Sequence, residues 1–99
     1  MNITKAHTGG KTTFSVSGRL DATTVPQLQE LLLPEFDAVT KIELNCTGLT
    51  YISSAGLRVL LMGEKAAKAK GGSMTLTGVS AEISEIFEIT KLSDILTIV

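Results

Sequence analysis

Tryptophan is absent from this sequence, and cysteine, histidine and tyrosine occur once each. A lone Cys46 excludes an internal disulfide and a redox pair, which suits a reducing compartment. His7 and Cys46 together make no metal cluster, so no metal is expected. His7, by the Gly9-Gly10 turn, is the one imidazole that could serve as a base and reads as a surface residue, so a serine hydrolase is not expected. Ser54 also stands outside a Gly-x-Ser-x-Gly elbow, since Ile52 precedes Ser53. Neither a Walker-type glycine loop nor a Gly-x-Gly-x-x-Gly fingerprint occurs, so no cofactor and no enzymatic activity are expected. An excess of one charge is missing too. Nine basic residues against 10 acidic ones give a net charge of -1, which provides no global attraction to nucleic acid or an anionic membrane. No apolar run approaches the roughly 18 residues that cross a bilayer. Met1-Asn2-Ile3-Thr4-Lys5 lacks the apolar centre of a secretory signal, so a cytoplasmic location is expected.

What remains is the composition of one compact domain. Ninety-nine residues, 43% of them apolar and 19% charged, suffice for a single core that buries about 65% of the unfolded chain's surface. Apolar and polar residues alternate through Thr12-Thr13-Phe14-Ser15-Val16-Ser17, Lys41-Ile42-Glu43-Leu44-Asn45 and Ser73-Met74-Thr75-Leu76-Thr77, which predicts three strands. Gly9-Gly10 predicts a hairpin that pairs Asn2 to Ala6 antiparallel to the first of them. Leu96 to Val99 reads as a last short strand.

Helical spacing fills the gaps. The first helix is expected to start at a Thr24 hydroxyl cap with Pro26 in its first turn, and to stop near Leu33 ahead of Pro34. The second runs from Ser53 or Ser54 to about Lys70, with Leu57, Leu60 and Leu61 on one flank and Gly71-Gly72 as terminator. Ser80 opens the third, with Ile83, Ile86 and Phe87 turned inward and Glu82, Glu85 and Glu88 outward. Helices between strands make the later pairings mostly parallel through right-handed crossovers. The expectation is a single α/β domain with a mixed sheet of about five strands, opened by a β-hairpin. Strands that are apolar on one face only place the helices on one side of it.

Ser53-Ser54-Ala55-Gly56-Leu57 delivers two hydroxyls to the start of the longest helix, where free N–H groups and the helix dipole favour negative charge. On local physics alone, either serine is simply an N-cap. Asp21 after Gly18-Arg19-Leu20 reads equally as a turn aspartate that caps the next helix. Arg58, Lys65, Lys68 and Lys70 read as a solvated helix face, with Arg58 one turn from Ser54 and within reach of a phosphate or of acidic groups on a partner.

The wider pattern resembles the STAS family, the domain shared by sulphate transporters and anti-sigma factor antagonists. The resemblance rests on Ser17-Gly18-Arg19-Leu20-Asp21, on Leu49-Thr50-Tyr51-Ile52-Ser53-Ser54-Ala55-Gly56-Leu57 and on the order of elements, and it covers residues 1–99 as one STAS domain. Switch members of the family read Asp-Ser-Ser-Gly or Asp-Ser-Ala-Gly in the second stretch. By that alignment Ser54 is the phosphorylated serine, and Ser53 replaces the usual aspartate and is the alternative acceptor. The resemblance implies an anti-sigma factor antagonist that binds an anti-sigma factor with serine kinase activity until phosphorylated, and a serine phosphatase that resets it. It further implies a partner surface drawn from Asp21, Thr23, Ser53, Ala55, Gly56, Leu57 and Arg58. Other STAS proteins imply an alternative, a regulatory or structural subunit of a membrane transporter ATPase. Family members commonly carry a further helix after the last strand, so the surface it covers is expected to be open here.

Overall fold

A computed structural model describes all residues 1–99. Strands β1 (Asn2–Thr8) and β2 (Lys11–Leu20) form the expected hairpin, and β3 (Lys41–Ile52), β4 (Ser73–Thr77) and β5 (Thr97–Ile98) follow in the sheet order β1-β2-β3-β4-β5. The β1–β2 pair is antiparallel and the other three are parallel. Helices α1 (Val25–Glu35), α2 (Ser54–Ala69) and α3 (Ala81–Ile89) connect them, and a short 3-10 turn, Leu92–Asp94, precedes β5.

The two-residue periodicity puts Phe14 and Val16, Ile42 and Leu44, and Met74 and Leu76 on one face, all at most 3% exposed. Leu28 and Leu32 of α1, Val59, Leu60 and Ala67 of α2, and Ile83 and Phe87 of α3 complete the same continuous core. The helices therefore cover one face of the sheet. Thr13, Ser15, Glu43, Asn45, Thr75 and Thr77 line the other face, where side chains are only half-buried.

Two expectations about α1 need correction. The helix passes Pro34 and ends at Glu35. In the last turn the missing N–H removes only one ladder bond, and continuation buries Glu35 and Phe36. Nor does the Thr24 hydroxyl cap the helix; it donates to the Arg19 carbonyl at 2.7 Å and accepts from the Asp21 N–H at 2.9 Å.

Glu35 ties the hairpin to α1. It accepts from the Thr12 hydroxyl at 2.6 Å and from Lys5 Nζ at 2.8 Å, which holds its carboxyl below the ordinary carboxylate range, Lys5 contributing most. A depressed folded-state pKa adds stability that is present above the unfolded value of about 4.5 and is lost as the pH falls through the lower folded value. Glu35→Gln should therefore flatten the acid limb of the stability curve below pH ~4.5. Chemical unfolding at stepped pH checks this, and an unchanged slope contradicts it.

Glu64 on α2 is the opposite case. It is 5% exposed, and its Oε1 is buried without a hydrogen-bond partner. An orphaned buried oxygen costs about 1–3 kcal/mol, so Glu64→Met, close in volume, should raise the melting temperature rather than lower it.

Candidate functional site

Beyond Asn45 the strand β3 loses its β4 partner and runs on with β2 alone. Register shifts occur between Ser15 and Ser17 and between Gly18 and Arg19, each adding one residue to β3. The buried residues of β3 accordingly change spacing from two to three, through Cys46, Leu49 and Ile52. Each bulge restores the inward direction after a step of three. Beyond the last β1 pair at Ser17 the sheet narrows to these two strands, which carry both candidate loops at their ends.

Register pairs Arg19 with Tyr51 and Leu20 with Ile52, so Asp21 and Ser53 leave the two strands side by side. The Ser53 N–H donates to the Leu20 carbonyl at 2.9 Å and fastens the two loops together. Gly56 packs closely against the same carbonyl. A Cβ there would stand 2.8 Å from Leu20 O and 2.7 Å from Ile52 Cγ1. Only glycine lets the first turn of α2 approach so closely.

The two serines divide the roles. Ser53 has extended backbone angles, φ -96° and ψ 176°, and is the N-cap, its Oγ accepting from the Gly56 N–H at 3.4 Å. It is half-buried, whereas Ser54, the first residue of α2, is exposed. No acidic side chain occupies that first turn.

Asp21 makes a tight turn. Its carboxylate accepts from the Thr23 hydroxyl at 2.7 Å, the Thr23 N–H at 3.0 Å and the Thr24 N–H at 3.3 Å. These bonds, the Thr23 hydroxyl foremost, hold the carboxyl below its ordinary range. Asp21 Oδ2 also stands 3.7 Å from Arg19 Nε, and the Arg19 guanidinium stacks 3.9 Å from the centroid of the Tyr51 ring. Tyr51 is 40% exposed, so this stack lies open beside the serine loop. Arg19 and Tyr51 sit inside the two motif stretches, yet no spacing rule singles them out. Only the register shift that sets them opposite one another does so.

Of the remaining candidates, Thr23 and Arg58 are exposed, Ala55 and Leu57 are half-buried, and Gly56 is buried, so Gly56 acts on a partner surface only through position. His7 bonds to Thr12 near the start of β2, about 26 Å from the serine loop at ~3.3 Å per strand residue. Burial pushes the Cys46 thiol up to about 12, leaving it inert.

A model of the family described as "Mlab, STAS domain" matches residues 3–98. The chain belongs to the STAS domain family. The anti-sigma-B factor antagonist of Staphylococcus aureus (strain NCTC 8325 / PS 47) is 37% identical over 82 residues, which are 82% of this STAS chain and 76% of the relative. Its counterpart in Staphylococcus epidermidis is 33% identical over the same shares. Among solved structures, a putative anti-sigma factor antagonist from Thermotoga maritima superposes with a TM-score of 0.89 at 18% identity, covering 97% of this chain and 84% of its own. Unphosphorylated SpoIIAA, an anti-sigma factor antagonist, gives 0.79 at 19% identity, covering 99% and 87%. Phosphorylated SpoIIAA of Bacillus also gives 0.79, at 21% identity, covering 99% and 91%. These structures share the STAS fold, with its five-stranded mixed sheet and three helices in one domain.

Proposed function

We propose that this STAS protein is an anti-sigma factor antagonist. It binds an anti-sigma factor that is also a serine kinase, and phosphorylation of Ser54 ends the binding. The observation that carries the reading is the division between the serines. The Ser53 hydroxyl is half-buried and engaged in capping, whereas Ser54 presents a free, exposed hydroxyl one position on. Relatives at 37% and 33% identity are named anti-sigma-B factor antagonists, which supports the choice of partner.

A phosphate brings about -1.5 to -2 charges and three acceptor oxygens. At the start of α2 the free N–H groups and the dipole accommodate that charge. A partner docked over an unmodified Ser54 meets added bulk and negative charge instead. The domain keeps its fold while the complex dissociates, and a serine phosphatase restores binding. Asp21 and Thr23 shape the neighbouring loop, and Ala55, Leu57 and Arg58 continue the surface along α2. The protein acts by binding rather than by turnover, in the bacterial cytoplasm where such a kinase works.

Mass spectrometry of protein isolated from its own cells should find phosphate on Ser54. Phosphate on Ser53 would keep the switch and reassign the acceptor. A stable complex with a transporter ATPase, indifferent to phosphatase treatment, would replace the switch with a subunit role.

A further inference from the structure

Residues 54, 58, 61, 65 and 68 of α2 recur at alternating spacings of four and three, which places them in a single row along the helix. The row reads Ser54, Arg58, Leu61, Lys65, Lys68 and runs about 21 Å at ~1.5 Å per residue. Ser54, Arg58, Lys65 and Lys68 are exposed, and Leu61, flanked by Leu57, is half-buried at the rim of the core. None of the three cations joins an ion pair. Lys70, just past the helix, is already paired with Asp37 at 2.8 Å.

We infer that this row is a docking surface for an acidic protein face that also accepts the Leu57 and Leu61 side chains, and that phosphate at Ser54 acts on it through Arg58. The second clause rests on the function proposed above; the first does not. The charge pattern selects the occupant. Three unpaired cations in line, broken by leucine, complement carboxylates around an apolar centre. Nucleic acid fits poorly, because the net charge is -1 and the row holds no aromatic residue to stack on bases. Phosphoserine at position 54 stands four residues before Arg58, the spacing at which helical side chains meet, so the modified residue pairs with Arg58 and withdraws it from the partner. Phosphorylation thus takes away an attractive contact as well as adding a repulsive one.

The test replaces Lys65 with a photo-crosslinking residue in the full chain, expressed in its own cells, and sequences the crosslinked peptide. An Asp- and Glu-rich peptide from another protein is expected. Affinity for that purified protein should fall with added salt, and Lys65→Glu with Lys68→Glu should weaken it by about ten-fold. Lys41→Glu, across the sheet from this face, serves as the control and should have little effect. Should the double reversal unfold the domain, Lys65→Gln with Lys68→Gln gives the same reading with a smaller change. Crosslinking to Glu82, Glu85 or Glu88 of a second copy, a peptide without acidic residues, or tighter binding to duplex DNA than to protein would each overturn the inference. A crosslinked acidic protein without kinase activity sinks the proposed function and leaves the row standing. A kinase that binds the chain but never crosslinks from position 65 does the reverse.

Discussion

Ser54→Asp is expected to bind the proposed partner kinase about 100-fold more weakly than Ser54→Ala, a difference of roughly 2.7 kcal/mol by titration calorimetry. The size follows from desolvation. A charge covered by a protein face that offers it no partner costs 2–5 kcal/mol or more, whereas the methyl of alanine costs little beyond the lost hydroxyl contact. Within the free chain the same carboxylate is welcome. It lies at the first position of α2, no other acidic group occupies that turn, and the helix dipole contributes about 0.3–1 kcal/mol in its favour. The melting temperature of Ser54→Asp should accordingly equal or exceed that of the wild type while its affinity collapses. Equal affinity of the two variants for the kinase would dispose of the phosphorylation gate. A matching loss of stability and binding would instead mean that the variant had damaged the fold.

Different parts of the fold were legible for different physical reasons. The hairpin, the one-sided core and the starts of α2 and α3 could be read because local and tertiary preferences agree there. Gly9-Gly10 demands a turn, alternation demands a half-buried strand, and Ser53 and Ser80 cap the helices that follow them. The end of β3 was not legible, because its periodicity changes from two to three at Cys46, and a step of three suggests a helix or a loop. Pairing with β2 across two bulges is what keeps Thr47 to Ile52 extended. That information lies in the partner strand rather than in the segment itself.

The same limit applied at α1, where Pro34 signals a stop. Burial of Glu35 and Phe36 carries the helix past it, and the Glu35 network depends on Lys5 and Thr12, far away in sequence. At the candidate site, helix physics alone marked either serine as a cap, and only the family pattern suggested an acceptor. Which serine caps was decided by backbone angles. The Arg19–Tyr51 stack needed the register.

Gly56→Val should destabilise the domain by about 3 kcal/mol and lower its melting temperature by roughly 15 °C. A β-carbon at position 56 lies 2.8 Å from Leu20 O, a backbone atom, and 2.9 Å from Leu20 Cγ. Leu20 and Ile52 are buried at 1% and 4% exposure, so neither side chain has room to turn away. The first turn of α2 must lift instead. Lifting it stretches the Ser53 N–H bond to that same Leu20 carbonyl, the link that holds the serine loop beside Asp21. Binding of the proposed kinase partner should therefore weaken even at temperatures where the variant remains folded. Gly63→Ala on the same helix is the matched control. There the near neighbours of an added β-carbon are the side-chain ends of Met74 and Leu32, at 2.8 Å and 3.1 Å. The flexible thioether can yield, and the gain of up to ~1 kcal/mol in helix propensity offsets the crowding, leaving the change within about 1 kcal/mol of zero. Thermal melts of both variants, with kinase affinity measured below the transition, separate the two effects. If Gly56→Val melted and bound like Gly63→Ala, the close approach at Leu20 would have no part in placing Ser54.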